Sequence, residues 1–426
     1  MADDLFARHR AVLPAWVNPL YAEPIELVSG RGCRVTDAQG RTYLDFFGGV
    51  LTNMIGYDIP EIAEALRAQL ATGIVHSSTL YLIRKQVELA EKIASWSGIP
   101  CAKVFLANSG TEANDTALLL ASQFRGSNQV LAMRNSYHGR SFAALAVTGN
   151  RGWSATSLSP LNVSYLHSGD RLRGVFAGVS DADYVRMAVD DLRDVLATTT
   201  AGDVACLIAE PIQGVGGFVA PPDGYFGAVK EVLDEHGILW VSDEVQTGWG
   251  RTGSHFWGYQ AHGAVPDMLT FAKGIGNGLA LAGVVARAEV MDCLKAVSFN
   301  TFGGNPLSAA AGSAVLDYVA SHDLQANAAR VGEILHAGLR ALDSPRVAQV
   351  RGRGLMLAVE FVVPGTLQPD PACTMRVLER CRENGLLVGK GGLLGNVIRM
   401  GPPLTLTEAE AKEGLEMLRD AVAQAG

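Results

Sequence analysis

The sequence predicts an α/β protein, a mostly parallel sheet with helices on both faces followed by a smaller α+β unit. Three observations carry this. Short β-rich apolar runs alternate with helical patterns between about residues 56 and 310. Polar residues able to do chemistry stand just past the carboxyl ends of those runs, where ligands bind in such sheets. From about residue 315 the pattern changes to long helical periods and then to new strand-like segments. The expected division is an N-terminal segment, 1–55, contributing to the smaller unit, a large unit, 56–312, and a C-terminal small unit, 313–426.

The expected strands of the large unit are Val104-Phe105-Leu106, Val130 to Met133, Cys206 to Ala209, Ile238 to Val241 and Met268-Leu269-Thr270. Segment 150–182 is rich in Ser, Gly and Asp without clear period, which predicts a long loop. Helical period governs 315–345, as in Val315 to Ala320 and Val331 to Leu342. Gly352 to Val363 and Gly385 to Arg399 suggest strands of one second, smaller sheet, and 408–424 closes the chain with a helix.

Bulk composition narrows the function classes. The chain is 48% hydrophobic and 18% charged, with 48 glycines, which fits a globular enzyme with many tight turns. A net charge of −8 with no basic block disfavours nucleic acid and anionic membrane as partners. Met1-Ala2-Asp3-Asp4 leads into no long apolar stretch, and no run approaches a membrane span. The six cysteines are scattered with no C-x-x-C, which points to a reduced, cytoplasmic compartment.

The most informative pair is Lys273 and Asp243. Lys273, one of only eight lysines, lies in Phe271-Ala272-Lys273-Gly274-Ile275-Gly276-Asn277-Gly278. Asp243 follows the apolar run Ile238 to Val241. A lysine amine can form an imine with an aldehyde cofactor, and a strand-end carboxylate can hold a pyridinium proton. Pyridoxal phosphate chemistry needs both.

Other motifs agree. Ser109-Gly110-Thr111 follows one strand and opens a helix, where small residues and the helix dipole suit a phosphate. Tyr137 can stack on a flat ring, with Val245 packing its opposite face and Gln246 donating to a ring oxygen. His138, beside Tyr137, reads as a structural hydrogen-bonder. Arg140 offers a planar fork suited to a carboxylate. Glu210 ends a strand because Pro211 stops the ladder. Thr301, in Asn300-Thr301-Phe302-Gly303-Gly304, could be a further phosphate donor or part of a plain turn, and Arg399 ends an apolar strand where a buried guanidinium wants a carboxylate. Taken singly, each has a plain structural reading as a cap, a core aromatic, a turn or a surface charge.

Rival motifs fail. Gly389-Lys390-Gly391-Gly392 lacks both the G-x-G-x-x-G spacing and the lysine–hydroxyl ending of a P-loop. There is no G-x-S-x-G, no H-E-x-x-H and no metal-ligand spacing.

In order and spacing these motifs resemble the class III (ω-) aminotransferases of the fold-type I pyridoxal-phosphate enzymes. The likeness runs from Tyr43-Leu44-Asp45-Phe46-Phe47-Gly48-Gly49-Val50 through Asp243-Glu244-Val245-Gln246-Thr247-Gly248 to Arg399. Gly253-Ser254-His255-Phe256-Trp257-Gly258 is similar to the alanine–glyoxylate branch. Tyr137-His138-Gly139-Arg140 is similar to the 4-aminobutyrate and acetylornithine aminotransferases.

The resemblance implies a large domain on a mostly parallel sheet of about seven strands, pyridoxal 5'-phosphate as cofactor, and a ping-pong transfer from an ω-amino acid or alanine to a 2-oxo acid. It further implies that Lys273 binds the cofactor and moves the proton, and that Asp243 pairs with the ring nitrogen. Ser109, Gly110 and Thr111 would hold phosphate, with Thr301 reaching the phosphate of the other subunit of a homodimer. His138 is carried over with the cofactor-binding set, beside Tyr137, Val245 and Gln246. Arg399 would bind the α-carboxylate, Glu210 would pair with it when an ω-amine is bound, and Arg140 would clamp a distal carboxylate. Val50 would lie against the substrate. Gly56-Tyr57-Asp58-Ile59-Pro60 and His76-Ser77-Ser78-Thr79-Leu80-Tyr81 depart from the family pattern on the substrate side. The alternative is another reaction on the same electron sink, by a racemase or epimerase, a decarboxylase or a phospho-lyase.

Overall fold

The computed structural model describes residues 4–425, so the first three residues of the acidic N-terminus and Gly426 lie outside the description. Its central sheet has seven strands. Their order across the sheet is Ala102–Ala107, Ala282–Arg287, Met268–Phe271, Leu239–Asp243, Cys206–Ala209, Gln129–Met133 and Asn162–Leu166. Every pairing is parallel except those of Ala282–Arg287, which runs antiparallel to both its neighbours. The inner strands are buried on both faces, which explains why they appear in the sequence as unbroken apolar runs rather than alternating ones.

All five expected strands are present, and two more escaped the sequence reading. Ala282–Arg287 begins with Ala282 and Gly283, which carry no β signal. Gly283 is required because a Cβ there would stand 2.5 Å from the Phe105 carbonyl oxygen. Asn162–Leu166 corrects the expectation of a long loop over 150–182. It is an edge strand with one partner, half-exposed and carrying Asn and Ser, so its pattern is weak. The same segment ends in a helix, Asp181–Thr198, capped by Ser180.

Helix Gly110–Arg125 lies on this sheet through Ala113, Ala117, Leu118 and Ala121, and stops at Gly126, whose φ of 67° is left-handed. Helices Pro306–Ser321 and Leu324–Arg340 occupy the expected helical stretch, and residue 312 falls inside the first of them. Glu408–Gln424 is the closing helix, begun by a reciprocal Thr407–Glu410 cap.

The expected single second sheet is two four-stranded sheets. One is the meander Leu27–Arg31, Arg34–Asp37 and Thr42–Asp45, to which Leu386–Leu387 adds in parallel. The other is antiparallel, ordered Val347–Arg353, Met356–Phe361, Val397–Met400 and Gly389–Gly391. The chain changes sheet at Val388, a step too short for periodicity to reveal. Among the described residues no helix is long and apolar enough to cross a membrane, and all six cysteines are unpaired.

Candidate active site

Two neighbouring parallel strands bring Asp243 and Lys273 to the same edge of the sheet. Asp243 ends Leu239–Asp243 and is buried. Its Oδ2 accepts from His138 Nδ1 at 2.7 Å and from Asn114 Nδ2 at 2.8 Å, and its Oδ1 accepts from the Val245 N–H at 3.1 Å. Three donors compensate the cost of a buried carboxylate.

Lys273 follows Met268–Phe271 after a single residue and adopts a left-handed φ of 48°. Strain of that kind in a non-glycine residue persists where the surroundings enforce it, and it clusters at functional sites. Gly274 beside it has no room for a side chain, since a Cβ would lie 2.6 Å from Met54 Sδ. Burial lowers the pKa of the Lys273 amine below that of an ordinary lysine. Asp243 and Glu210 pull it back up, and Arg399 pushes it down. Asn277 ties this turn to the departing segment near residue 56. Its Oδ1 accepts from Ile55 N at 2.9 Å and its Nδ2 donates to the Gly56 carbonyl at 2.9 Å.

The start of helix Gly110–Arg125 forms another wall. Ser109 caps it, accepting from Glu112 N, while the Glu112 carboxylate accepts from Asn108 N at 2.8 Å. Thr111 Oγ1 accepts the N–H groups of Arg140 at 3.1 Å and Ser141 at 3.2 Å, which lays loop 137–141 across the helix start. That approach needs Gly139, whose φ is 141° and where a Cβ would stand 2.4 Å from Thr111 Oγ1.

These walls enclose a cavity of about 450 Å³. Ser109, Gly110 and Thr111 line it. So do Asp243, His138, Gln246, Tyr137, Val245 and Lys273. Glu210 and Arg140 complete the expected residues present there.

Val50, Thr301 and Arg399 are not among the residues lining this cavity. Val50 is exposed, in a left-handed turn with φ of 67°. Thr301 is exposed on a turn whose Asn300 accepts from Asn108 Nδ2 at 2.8 Å and donates to Glu112 at 2.9 Å. Arg399 is buried, its guanidinium 5.5 Å from the Phe47 ring centroid and 5.4 Å from that of Phe218. Burial lowers its pKa to about 10, so it stays cationic at neutral pH.

The Glu210–Arg399 ion pair implied for a bound ω-amine is not made here. Glu210 accepts from Tyr137 N at 2.9 Å and Gly214 N at 2.8 Å, while Arg399 Nη1 donates to the Gly214 carbonyl at 2.9 Å. The two side chains therefore meet on one residue without touching. Burial raises the Glu210 carboxyl to about 7, opposed chiefly by the charge of His138. Arg140 is exposed and has no carboxylate partner among the described residues; its guanidinium lies 5.4 Å from the Trp16 ring centroid.

A family model described as aminotransferase class-III matches residues 18–422. The chain belongs to the class III aminotransferases. It is 39% identical over 414 residues to the mitochondrial alanine–glyoxylate aminotransferase 2 homolog 2 of Arabidopsis thaliana, covering 96% of this chain and 85% of that protein. Among solved structures it is similar to a PLP-bound amine transaminase from an uncultivated Pseudomonas species, with TM-score 0.90 and 32% identity, over 95% of this chain and 96% of that one. It is also similar to a phospholyase from Arthrobacter in complex with phosphoethanolamine, with TM-score 0.89 and 35% identity, over 99% of both chains.

Class III aminotransferases depend on pyridoxal 5'-phosphate, and the residues present fit it. Gln246 Oε1 and His138 Nε2 are buried in this wall without a partner, a costly state that a polar ligand relieves. The cavity offers an anion-binding helix start, an amine and a well-held acid, as that cofactor's phosphate, aldehyde and ring nitrogen require.

Sequence reasoning missed Asn114, Phe47, Phe218 and Asn300 as parts of the site. Only Asn114 left a signal, as a polar residue in the buried Ala113–Ala117–Ala121 face of its helix. The other three act through contacts distant in sequence.

Proposed function

We propose that this aminotransferase moves the amino group of an ω-amino acid, such as 4-aminobutyrate or β-alanine, or of alanine, to 2-oxoglutarate, pyruvate or glyoxylate. The observation that carries the reading is a pair of guanidiniums free of carboxylates. Arg399 is buried and bonded only to backbone carbonyls, so its charge awaits a substrate carboxylate. Arg140, at the cavity wall, is free to take a distal one.

Bound in the cavity, pyridoxal phosphate would supply an electrophilic aldehyde and an electron-accepting ring. Ser109, Gly110 and Thr111 hold its phosphate through a helix start. Asp243, pinned by His138, holds the ring-nitrogen proton. Tyr137 and Val245 bracket the ring, and Gln246 binds its oxygen substituent. Lys273 Nζ, whose protonated form burial disfavours, takes the substrate proton and returns it. Arg399 anchors the α-carboxylate, Glu210 neutralises Arg399 when that carboxylate is absent, and Val50 packs against the substrate.

The working unit is a homodimer in which Thr301 completes the neighbouring phosphate site. Supporting this, Leu82 is 98% and Val297 91% exposed, and the segments that carry them converge where the His76 and Phe302 rings lie 4.9 Å apart. The unpaired cysteines support action in the cytoplasm.

A half-reaction screen tests the substrate class. Each amino donor is mixed with holoenzyme without acceptor, and the cofactor's visible absorbance is followed. Rapid bleaching by 4-aminobutyrate, β-alanine or alanine is expected; inertness to all three overturns the assignment. A phospho-lyase is the second reading, favoured by the 35% identity to the Arthrobacter enzyme. Phosphate release from phosphoethanolamine, without amino transfer to any oxo acid, would establish it.

A further inference from the structure

Asn114 is buried and makes three of the four hydrogen bonds that an amide allows, both of its donors among them. Its Oδ1 accepts from the Thr270 hydroxyl at 2.7 Å. Its Nδ2 donates to the His138 carbonyl at 2.7 Å and to Asp243 Oδ2 at 2.8 Å. A carbonyl and a carboxylate only accept, so the nitrogen must face them, and Thr270 must then donate. The partners' chemistry fixes the amide's orientation.

Each partner belongs to a different part of the site. Asn114 sits one turn into the helix whose start lines the phosphate end. Asp243 and Thr270 are paired across neighbouring parallel strands, and Thr270 lies three residues before Lys273. His138 follows Tyr137 in the loop over the cavity. One side chain therefore joins the phosphate wall, the strand-end acid, the strand leading to the amine and the ring-facing loop.

We infer that Asn114, itself held by Thr270, is the positioning residue that keeps the Asp243 carboxylate in register with the phosphate end of the site. The inference rests on the reading of Asp243 as the partner of the ring nitrogen. Asn114→Asp keeps the shape but sets an acceptor against an acceptor, so the introduced carboxyl and that of Asp243 share a proton rather than both ionising. Thr270→Val is nearly isosteric and removes the donor to Asn114 Oδ1, leaving that buried oxygen unpaired and the amide less firmly held against Asp243.

The test follows the cofactor's visible absorbance in holoenzyme from pH 5.5 to 9.5, with cofactor dissociation measured at pH 8 and the melting temperature of the cofactor-free protein. His138, Glu210, Lys273 and Tyr137 also face Asp243, so each variant's midpoint is read as a difference from the parent. Asp243→Asn is the reference.

The expected result is that Asn114→Asp weakens cofactor binding about tenfold or more, that Thr270→Val weakens it less, and that both move the midpoint in the direction set by Asp243→Asn. A merely structural role lowers the melting temperature and leaves the midpoint in place, which overturns the inference. Should Asn114→Asp fail to fold, an unmoved midpoint in Thr270→Val overturns it alone. An unmoved midpoint in Asp243→Asn instead removes the reading of Asp243, and the inference falls with it.

Discussion

The sheet edge and the outer rim of this site are built by opposite rules. At the sheet edge, Asp243, Asn114, His138 and Thr270 are buried, and Asp243 and Asn114 are held by three hydrogen bonds each. Arg140, on the cavity wall, is exposed, as are Val50 and Thr301 outside that wall, and Arg140 touches only the ring of Trp16 among charged-group contacts. The difference teaches that the acid at the sheet edge is fixed by the fold, whereas the Arg140 side is left for substrate to complete. Preorganisation belongs where the chemistry is invariant, and freedom where the substrate decides.

The largest expected effects test the rigid end. Lys273→Ala should cut turnover by roughly 10²–10⁴-fold or more, the range for a lost proton-transfer group, while the cofactor still binds noncovalently. Borohydride should fix the cofactor to the Lys273 peptide in the parent and not in the variant. Turnover within a few-fold of the parent would mean that the amine does no chemistry. Next comes Asp243→Asn, with an expected loss of roughly 10²–10³-fold in kcat, comparable with losing one preorganised electrostatic partner. An unchanged kcat would put the rigid end on the same footing as the rim and dissolve the contrast.

The same contrast governs how much the sequence disclosed. Asp243 and Lys273 follow apolar runs buried on both faces, and such strands appear in sequence as short unbroken blocks. The helix start at Ser109 was legible because caps are local. Strand Asn162–Leu166 was not, because an edge strand with one half-exposed face has little to distinguish it from a loop. The division of the small strands into two sheets was hidden because Leu386–Leu387 pairs with residues more than three hundred positions earlier. Arg399 between Phe47 and Phe218 was invisible for the same reason.

At the rim the expected effects are smaller and selective. Arg140→Ala should raise KM about tenfold for dicarboxylic acceptors such as 2-oxoglutarate, the worth of one charged hydrogen-bonding contact. It should leave pyruvate and glyoxylate within about twofold, since these lack a distal carboxylate for the guanidinium to bind. Steady-state kinetics with the three acceptors checks this. Equal losses for all three would make Arg140 part of the rigid frame.

The last effect is read in stability rather than in rate and lies at the boundary between the two regions, in Glu210. Its carboxyl is raised by burial to about 7 in the folded protein, against 4.5 for the ordinary group. Between those values the folded chain keeps a proton that the unfolded chain releases, so this group makes stability fall as pH rises through the window. The cost is complete above about pH 7 and is on the order of 3 kcal/mol. Glu210→Gln removes the titration. It also turns an amide N–H toward Tyr137 N or Gly214 N, losing an acceptor, but that penalty does not depend on pH. The sign of the single-pH difference is therefore uninformative, and the slope decides. In the cofactor-free protein, the stability of Glu210→Gln relative to the parent should improve steadily from pH 5 to about 7 and then level off. Parallel unfolding curves across that range would mean that Glu210 stays ionised throughout, and that the boundary is as firmly set as the sheet edge.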